Sequence, residues 1–346
     1  MHTGHLFAPM TLALLALAAC SSETVGPPQA PPVDWRAFEA HHAADAGPPA
    51  PTANERAVGE SYVRALGSPS LDALAARLDS DVHLAFPGMS DRRGRDAVVR
   101  AHADLFGAFD SRVFAVRRVW RTASAQTLEW TMTGVQARPW LGVAATNAQA
   151  SIHGITLLWT KDDGSITDIH AYFDVPIVKA QLGAGPKDLA AFAPALPPVQ
   201  APEVFEQAGS PEEAHDVDIA RGWIDALEAG NEVSYLSFVS DDVEVRTLER
   251  AQPLHGKDDL RTYFKAVRKS IGQLDTTVQN AWGVSRFAIV EYFVAGEQRG
   301  AMGWIPAQRD KVLRIDVVDV IEIANGKVAR VERFDNSGQI VGSPTP

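Results

Sequence analysis

Cysteine is nearly absent from this sequence of 346 residues: Cys20 stands alone, which excludes an intramolecular disulfide and any metal centre built on thiolates. The fold must therefore be held by its core, and at 46% hydrophobic residues the chain has ample material for one, with a length that suggests two domains. Cationic side chains are also in deficit, 32 Lys and Arg against 43 Asp and Glu for a net charge of -11. Binding that neutralises phosphates needs a basic surface, so no nucleic-acid partner is expected. Long apolar runs are missing too. The stretch Leu6 to Ala19 falls well short of the roughly 20 residues that a membrane-spanning helix needs. Nor is there a G-x-S-x-G elbow, a P-loop, a G-x-G-x-x-G or an H-E-x-x-H, and these absences remove several enzyme classes.

What is present at the N-terminus is a short apolar segment of signal-peptide type. It ends in Leu17-Ala18-Ala19-Cys20, which resembles the bacterial lipobox. That resemblance implies cleavage after residue 19 and acylation of Cys20, although His2 and His5 stand where Lys or Arg is usual. Residues 20–51 carry Pro27, Pro28, Pro31, Pro32, Pro48, Pro49 and Pro51 with too little apolar material to fold, and read as an extended tether. His41 and His42 within it are read as a solvated pair. The expected location is the cell envelope, lipid-anchored and either periplasm-facing or on the outer membrane.

The rest is a tandem repeat. Asp81 overlies Asp242 at an offset of 161, Gly94 overlies Gly256 at 162, Trp120 and Glu129 overlie Trp282 and Glu291, and Phe173-Asp174 matches Phe334-Asp335 at 161. Each copy is long enough for its own core, so this is domain duplication. The first domain is expected over 52–183 and the second over 211–346, with a Pro/Ala linker over 184–210 that holds one helical turn at Lys187 to Phe192. In the first copy, the capping box Thr52-Ala53-Asn54-Glu55 starts a helix carrying Val58, Tyr62, Val63 and Leu66. Further helices are expected at 71–78 and 96–109, and strands at 82–86, 113–121, 126–135, 151–160 and 166–174. The second copy repeats this with helices at 216–229, 233–238 and 257–271 and strands at 243–248, 276–284, 287–296, 311–323 and 327–335.

Helices first and strands last describe an α+β domain with a curved antiparallel sheet wrapping a helix and leaving a pocket. Thr131-Met132-Thr133-Gly134, the run Ile152 to Trp159 and the ending Ile169-His170-Ala171-Tyr172-Phe173-Asp174 resemble the SnoaL-like polyketide cyclase family of the nuclear-transport-factor-like superfamily. Arg93-Gly94-Arg95-Asp96 and His255-Gly256-Lys257-Asp258 resemble its glycine-then-helix segment. The resemblance implies two cystatin-like cone domains of about three helices each, and a small hydrophobic ligand with no cofactor. It also implies an acid–base aspartate at the position of Asp174.

Because strand side chains alternate, His170, Tyr172 and Asp174 share one face. A carboxylate in a dry pocket beside a His or Tyr donor suits proton abstraction next to a carbonyl, of cyclase, isomerase or dehydratase type. The alternative is that Asp174 caps the strand end and the others pack on neighbours. His153, Trp130 and Trp140 are expected around the same cavity, His153 with a core role as its alternative. No third ligand accompanies His170 and Asp174, so no metal is expected. His83 and His102 have no partner that sequence can name. In the second copy Arg333 is expected to pair with Asp335 and make it a poorer base, so that if only one copy is active it is the first, and these residues belong to a pairing partner or a separate binding pocket. The two domains are expected to pair with each other or in a homodimer, and a non-catalytic ligand-holding or interaction module is the rival reading.

Overall fold

The computed structural model describes residues 57–186, 189, 199–247, 250, 252–308 and 311–341. The signal peptide, Cys20, the tether, the first capping box and most of the turn expected at 187–192 lie outside the described residues. Among the described residues, no helix is long and apolar enough to cross a membrane.

The first copy opens with α1 (Val58–Gly67) and α2 (Asp72–Ala75), continues through β1 (Leu78–Ala85), β2 (Arg92–Arg93) and α3 (Arg95–Phe106), and then lays down β3 (Phe109–Arg121), β4 (Ala125–Gln136), β5 (Gln149–Thr160) and β6 (Ile166–Tyr172). Several short elements escape the pattern reading, β2 among them. A short helix α4 (Val175–Gln181) follows β6, and β7 (Glu203–Glu206) lies in the expected linker, where four residues after Pro202 are too few to show a period. The second copy repeats the order as α5 (Pro211–Glu228), α6 (Glu232–Ser237), β8 (Val239–Thr247), β9 (Leu254–His255), α7 (Gly256–Ser270), β10 (Ile271–Val284), β11 (Phe287–Gln298), β12 (Lys311–Ala324), β13 (Lys327–Asp335) and α8 (Gly338–Val341).

The sheets run β2-β1-β6-β5-β4-β3-β7 and β10-β11-β12-β13-β8-β9, antiparallel except where β1 meets β6, β8 meets β13 and β7 joins the edge of β3. The glycine repeated where α3 and α7 begin has a conformational cause: Gly94 and Gly256 have φ of 84° and 70°, a region that side-chain-bearing residues disfavour. Each cone buries its own apolar cluster under its helices. A third buried cluster draws on the outer faces of both sheets, with Trp120, Ile155, Leu157 and Tyr172 against Phe287, Val318, Val320 and Phe334.

Candidate functional site

Alternation along β6 holds, but the faces are the reverse of a pocket. Ile169, Ala171 and Phe173 point into the first cone, whereas His170 and Tyr172 point outward and meet the second copy. His170 Nδ1 lies 2.7 Å from Glu291 Oε1 and the Tyr172 hydroxyl donates to the same oxygen at 2.6 Å. Burial works against charge on His170, yet Glu291 outweighs it and raises the imidazole above its ordinary value. Burial likewise pushes Glu291 up, and His170 more than reverses it. Asp174 sits apart from both: its Oδ1 accepts from Ile177 N at 2.9 Å as the N-cap of α4, and its Oδ2 accepts from Ser337 N at 3.0 Å. The three side chains do not converge on a cavity. The capping alternative describes Asp174, and packing on neighbours describes the other two.

The remaining first-copy candidates separate as well. His153 faces outward, its Nε2 2.8 Å from Glu129 and its ring against Phe334. Trp130 and Trp140 are inside, and both indoles donate, to Thr156 Oγ1 at 2.9 Å and to Leu105 O at 2.7 Å. Trp130 lies over Gly154, where a Cβ would come within 2.4 Å of the ring. Phe106, Phe114 and Phe173 surround it, so aromatic rings fill the first cone. His102, pulled down to about 4 by burial, donates from Nδ1 to Val98 O and accepts a hydrogen bond from the Tyr62 hydroxyl at Nε2. His83 lies between Asp91 and Asp168; burial lowers it, but the two carboxylates raise it to about 9.

The second cone is open. A cavity of about 440 Å³ is lined by Leu227, Val267, Leu274, Val294, Trp304 and Ile315 on its walls, with Tyr263, Tyr292, Arg333 and Asp335 at its polar end. This volume lies in the range of small-molecule sites. The polar end is built on strand register. Arg333 of β13 stands directly opposite Asp319 of β12, and its Nε and Nη2 donate to the two carboxylate oxygens at 2.9 and 2.7 Å. Nη1 reaches the Tyr263 hydroxyl and Nη2 the Tyr292 hydroxyl, both at 2.8 Å, while Tyr292 donates to Asp319 at 2.8 Å. The expected Arg333–Asp335 pair is thus corrected: the bidentate partner is Asp319 across the ladder, and Asp335 lines the cavity one strand repeat further on. Burial disfavours charge on Arg333, but Asp319 holds the guanidinium charged, well above its ordinary value. Burial raises the Tyr292 phenol well above its own, so it stays protonated.

The first copy was expected to carry the site, whereas the cavity described above lies in the second copy. By facing, Tyr172 corresponds to Phe334 at the contact between sheets, and Phe173 to Asp335 inside, an offset of 162 and not the 161 suggested by the shared Phe-Asp pair. Tyr292, Asp319 and Arg333 then correspond to Trp130, Thr156 and Ala171. Pattern reading missed Tyr263, Tyr292, Trp304 and Asp319. One signal was available: Asp319 interrupts Val317-Val318-Asp319-Val320-Ile321, and a lone charge in a strand buried on both faces demands a partner.

Between the sheets, Glu129, His153 and Glu332 bring ligand-type atoms within 4.8 Å of one another. Arg118 donates to both carboxylates, so a guanidinium already supplies the cation there. Burial would raise Glu129, but His153 and Arg118 pull it down to about 2.

The SnoaL-like domain family matches residues 60–169 and again 220–331. No curated protein matches the chain. Among solved structures, a candidate SnoaL-like polyketide cyclase from Jannaschia sp. is 18% identical over 38% of this chain and 94% of its own, with a TM-score of 0.36. An LEH-like epoxide hydrolase from M. tuberculosis is 12% identical over 38% and 94%, TM-score 0.32. A protein of ketosteroid isomerase-like fold from Catenulispora acidiphila is 12% identical over 37% and 94%, TM-score 0.32.

Proposed function

Since the chain belongs to the SnoaL-like domain family through both of its copies, we propose that the second copy is the working pocket and that it binds one neutral, largely apolar molecule carrying a carbonyl or hydroxyl at one end. The observation that carries this reading is the cavity itself, apolar on its walls and closed at one end by Tyr263, Tyr292, Arg333 and Asp335. Charge supports neutrality. Asp319 balances Arg333, so the guanidinium offers no uncompensated charge to an anionic ligand held at that end. In this reading Asp335, not Asp174, moves the proton, and the arginine–tyrosine cluster stabilises the oxygen on which charge develops. The first copy is a fixed companion of the second, and the lipid on Cys20 with its tether holds the pair at the cell envelope.

The test is a thermal-shift and turnover screen of neutral hydrophobic carbonyl compounds against the native chain and Asp335→Asn. Ligands that bind the folded state raise its melting temperature by mass action. The proposal expects compounds that stabilise both forms and are converted only by the native one. Binding without conversion in either form leaves a ligand-holding module. No stabilisation by any compound removes the pocket reading.

A further inference from the structure

The cavity wall formed by the last residues of the second copy is gripped by the first. Asp335, Ser337 and Ile340 line the cavity, and they lie on a segment that leaves β13 and turns into α8. Its own domain holds the far end, where Gln339 Nε2 donates to Asp316 at 2.7 Å and Lys311 donates to Ile340 O. The near end is held from across the domain boundary. Ser337 N donates to Asp174 Oδ2 at 3.0 Å, Asn336 Nδ2 donates to Pro87 O at 2.7 Å, and Val175 N donates to Asn336 Oδ1 at 3.2 Å. The clasp is reciprocal. Asp174 and Asn336 each cap the short helix after their own last strand, through Ile177 N and Gly338 N, and each also accepts the first amide of the other copy's turn. All four groups are buried, so each bond lost leaves a donor or acceptor dehydrated and unpaired.

We infer that Asp174 is a positioning residue for the cavity of the other copy: through Ser337 it fixes the wall that carries Asp335, and the first copy thereby sets the pocket's affinity. This rests on the pocket reading above. Asp174→Ala removes both acceptors. Asp174→Asn, matched in shape, leaves one of the two amides without an acceptor in either orientation of its amide. Tyr172→Phe serves as the control, since it removes a contact between the copies at Glu291 and leaves the wall untouched.

Two measurements on the full chain separate the outcomes: hydrogen exchange by peptide, and binding of the neutral probe N-phenyl-1-naphthylamine. The expected result is exchange about tenfold faster over 335–341 in Asp174→Ala, with β12 still protected, and probe affinity about tenfold weaker, the worth of one net buried hydrogen bond. Tyr172→Phe should change neither, even where its melting temperature falls as far. Exchange confined to α4, or probe affinity that follows melting temperature equally in the Tyr172 and Asp174 variants, overturns the inference. Failure of the native chain to bind the probe, with the wall loosened in Asp174→Ala, overturns the pocket reading and takes the affinity claim with it.

Discussion

The two copies share a fold and differ in what they put inside it. At matched places the first carries Trp130, Thr156, Ala171 and Phe173, and the second carries Tyr292, Asp319, Arg333 and Asp335. One set fills a cone with rings and a single indole-to-hydroxyl bond; the other builds a charged cluster beside a cavity of about 440 Å³. Neither set alters the strand ladder that carries it. Inward positions on a common frame are thus free to be packed or emptied, and four of them differ between the cone lined with rings and the one that holds the cavity.

The sharpest way to break this comparison is Arg333→Met. It leaves Asp319, fully buried, without its cation and should cost about 3–5 kcal/mol, read by chemical denaturation. Replacing Tyr292, Asp319 and Arg333 together by Trp, Thr and Ala, the first copy's set, removes the charge with its partner. That triple variant should be more stable than Arg333→Met and lose probe binding. In the other direction, Trp130→Ala empties the first cone at about 3–5 kcal/mol, and should add a second probe site by titration.

Two buried groups of the first sheet respond to pH in opposite directions. His83 is raised to about 9, so its contribution is complete below the ordinary histidine value near 6.5 and lost as pH rises through 9. Glu129 is lowered to about 2, so its contribution is complete above the ordinary glutamate value near 4.5 and lost as pH falls towards 2. Denaturation against pH should lose part of its alkaline slope in His83→Gln and part of its acid slope in Glu129→Gln. The smallest effect concerns the entry helices. Ser210 and Glu213 form a reciprocal capping box on α5, while the cap position of α1, Ala57, offers no side-chain bond. Ser210→Ala should cost about 1 kcal/mol, with faster exchange confined to the start of α5.

Much of the fold was legible because it is written in periods. Apolar spacing located α3, α5 and α7 to within a few residues, and alternation located the long strands. The repeat was misaligned by a single residue at its last strand. The pair Phe-Asp occurs at both strand ends, and aligning like with like moved the last strand one position. In a strand, one position exchanges the faces, so the residues read as lining a pocket face the other sheet. Which face of β6 is inner depends on what its sheet packs against, and no local pattern carries that. Arg333 and Asp335 were picked out, but the identity of the arginine's partner is a matter of register between strands. Asp319 lies 14 residues away in sequence and directly opposite in space.

The buried glutamates repeated in both copies have a consequence for which molecules can associate. Glu129 is answered by Arg118, which also reaches Glu332 of the other copy; Glu291 is answered by Asn280 and by His170 of the other copy. Arg118 and Asn280 occupy equivalent positions, as do His170 and Glu332. Two first copies brought together by these faces would set Arg118 against His170, and two second copies would set Glu291 against Glu332 with no cation between them. The mixed contact gives Arg118 a second carboxylate in Glu332 and gives Glu291 an imidazole in His170. A duplicated gene could otherwise have yielded exchangeable halves that assemble at random. Here the two halves are joined in one chain, so the mixed contact forms within it and the filled half comes with the open one.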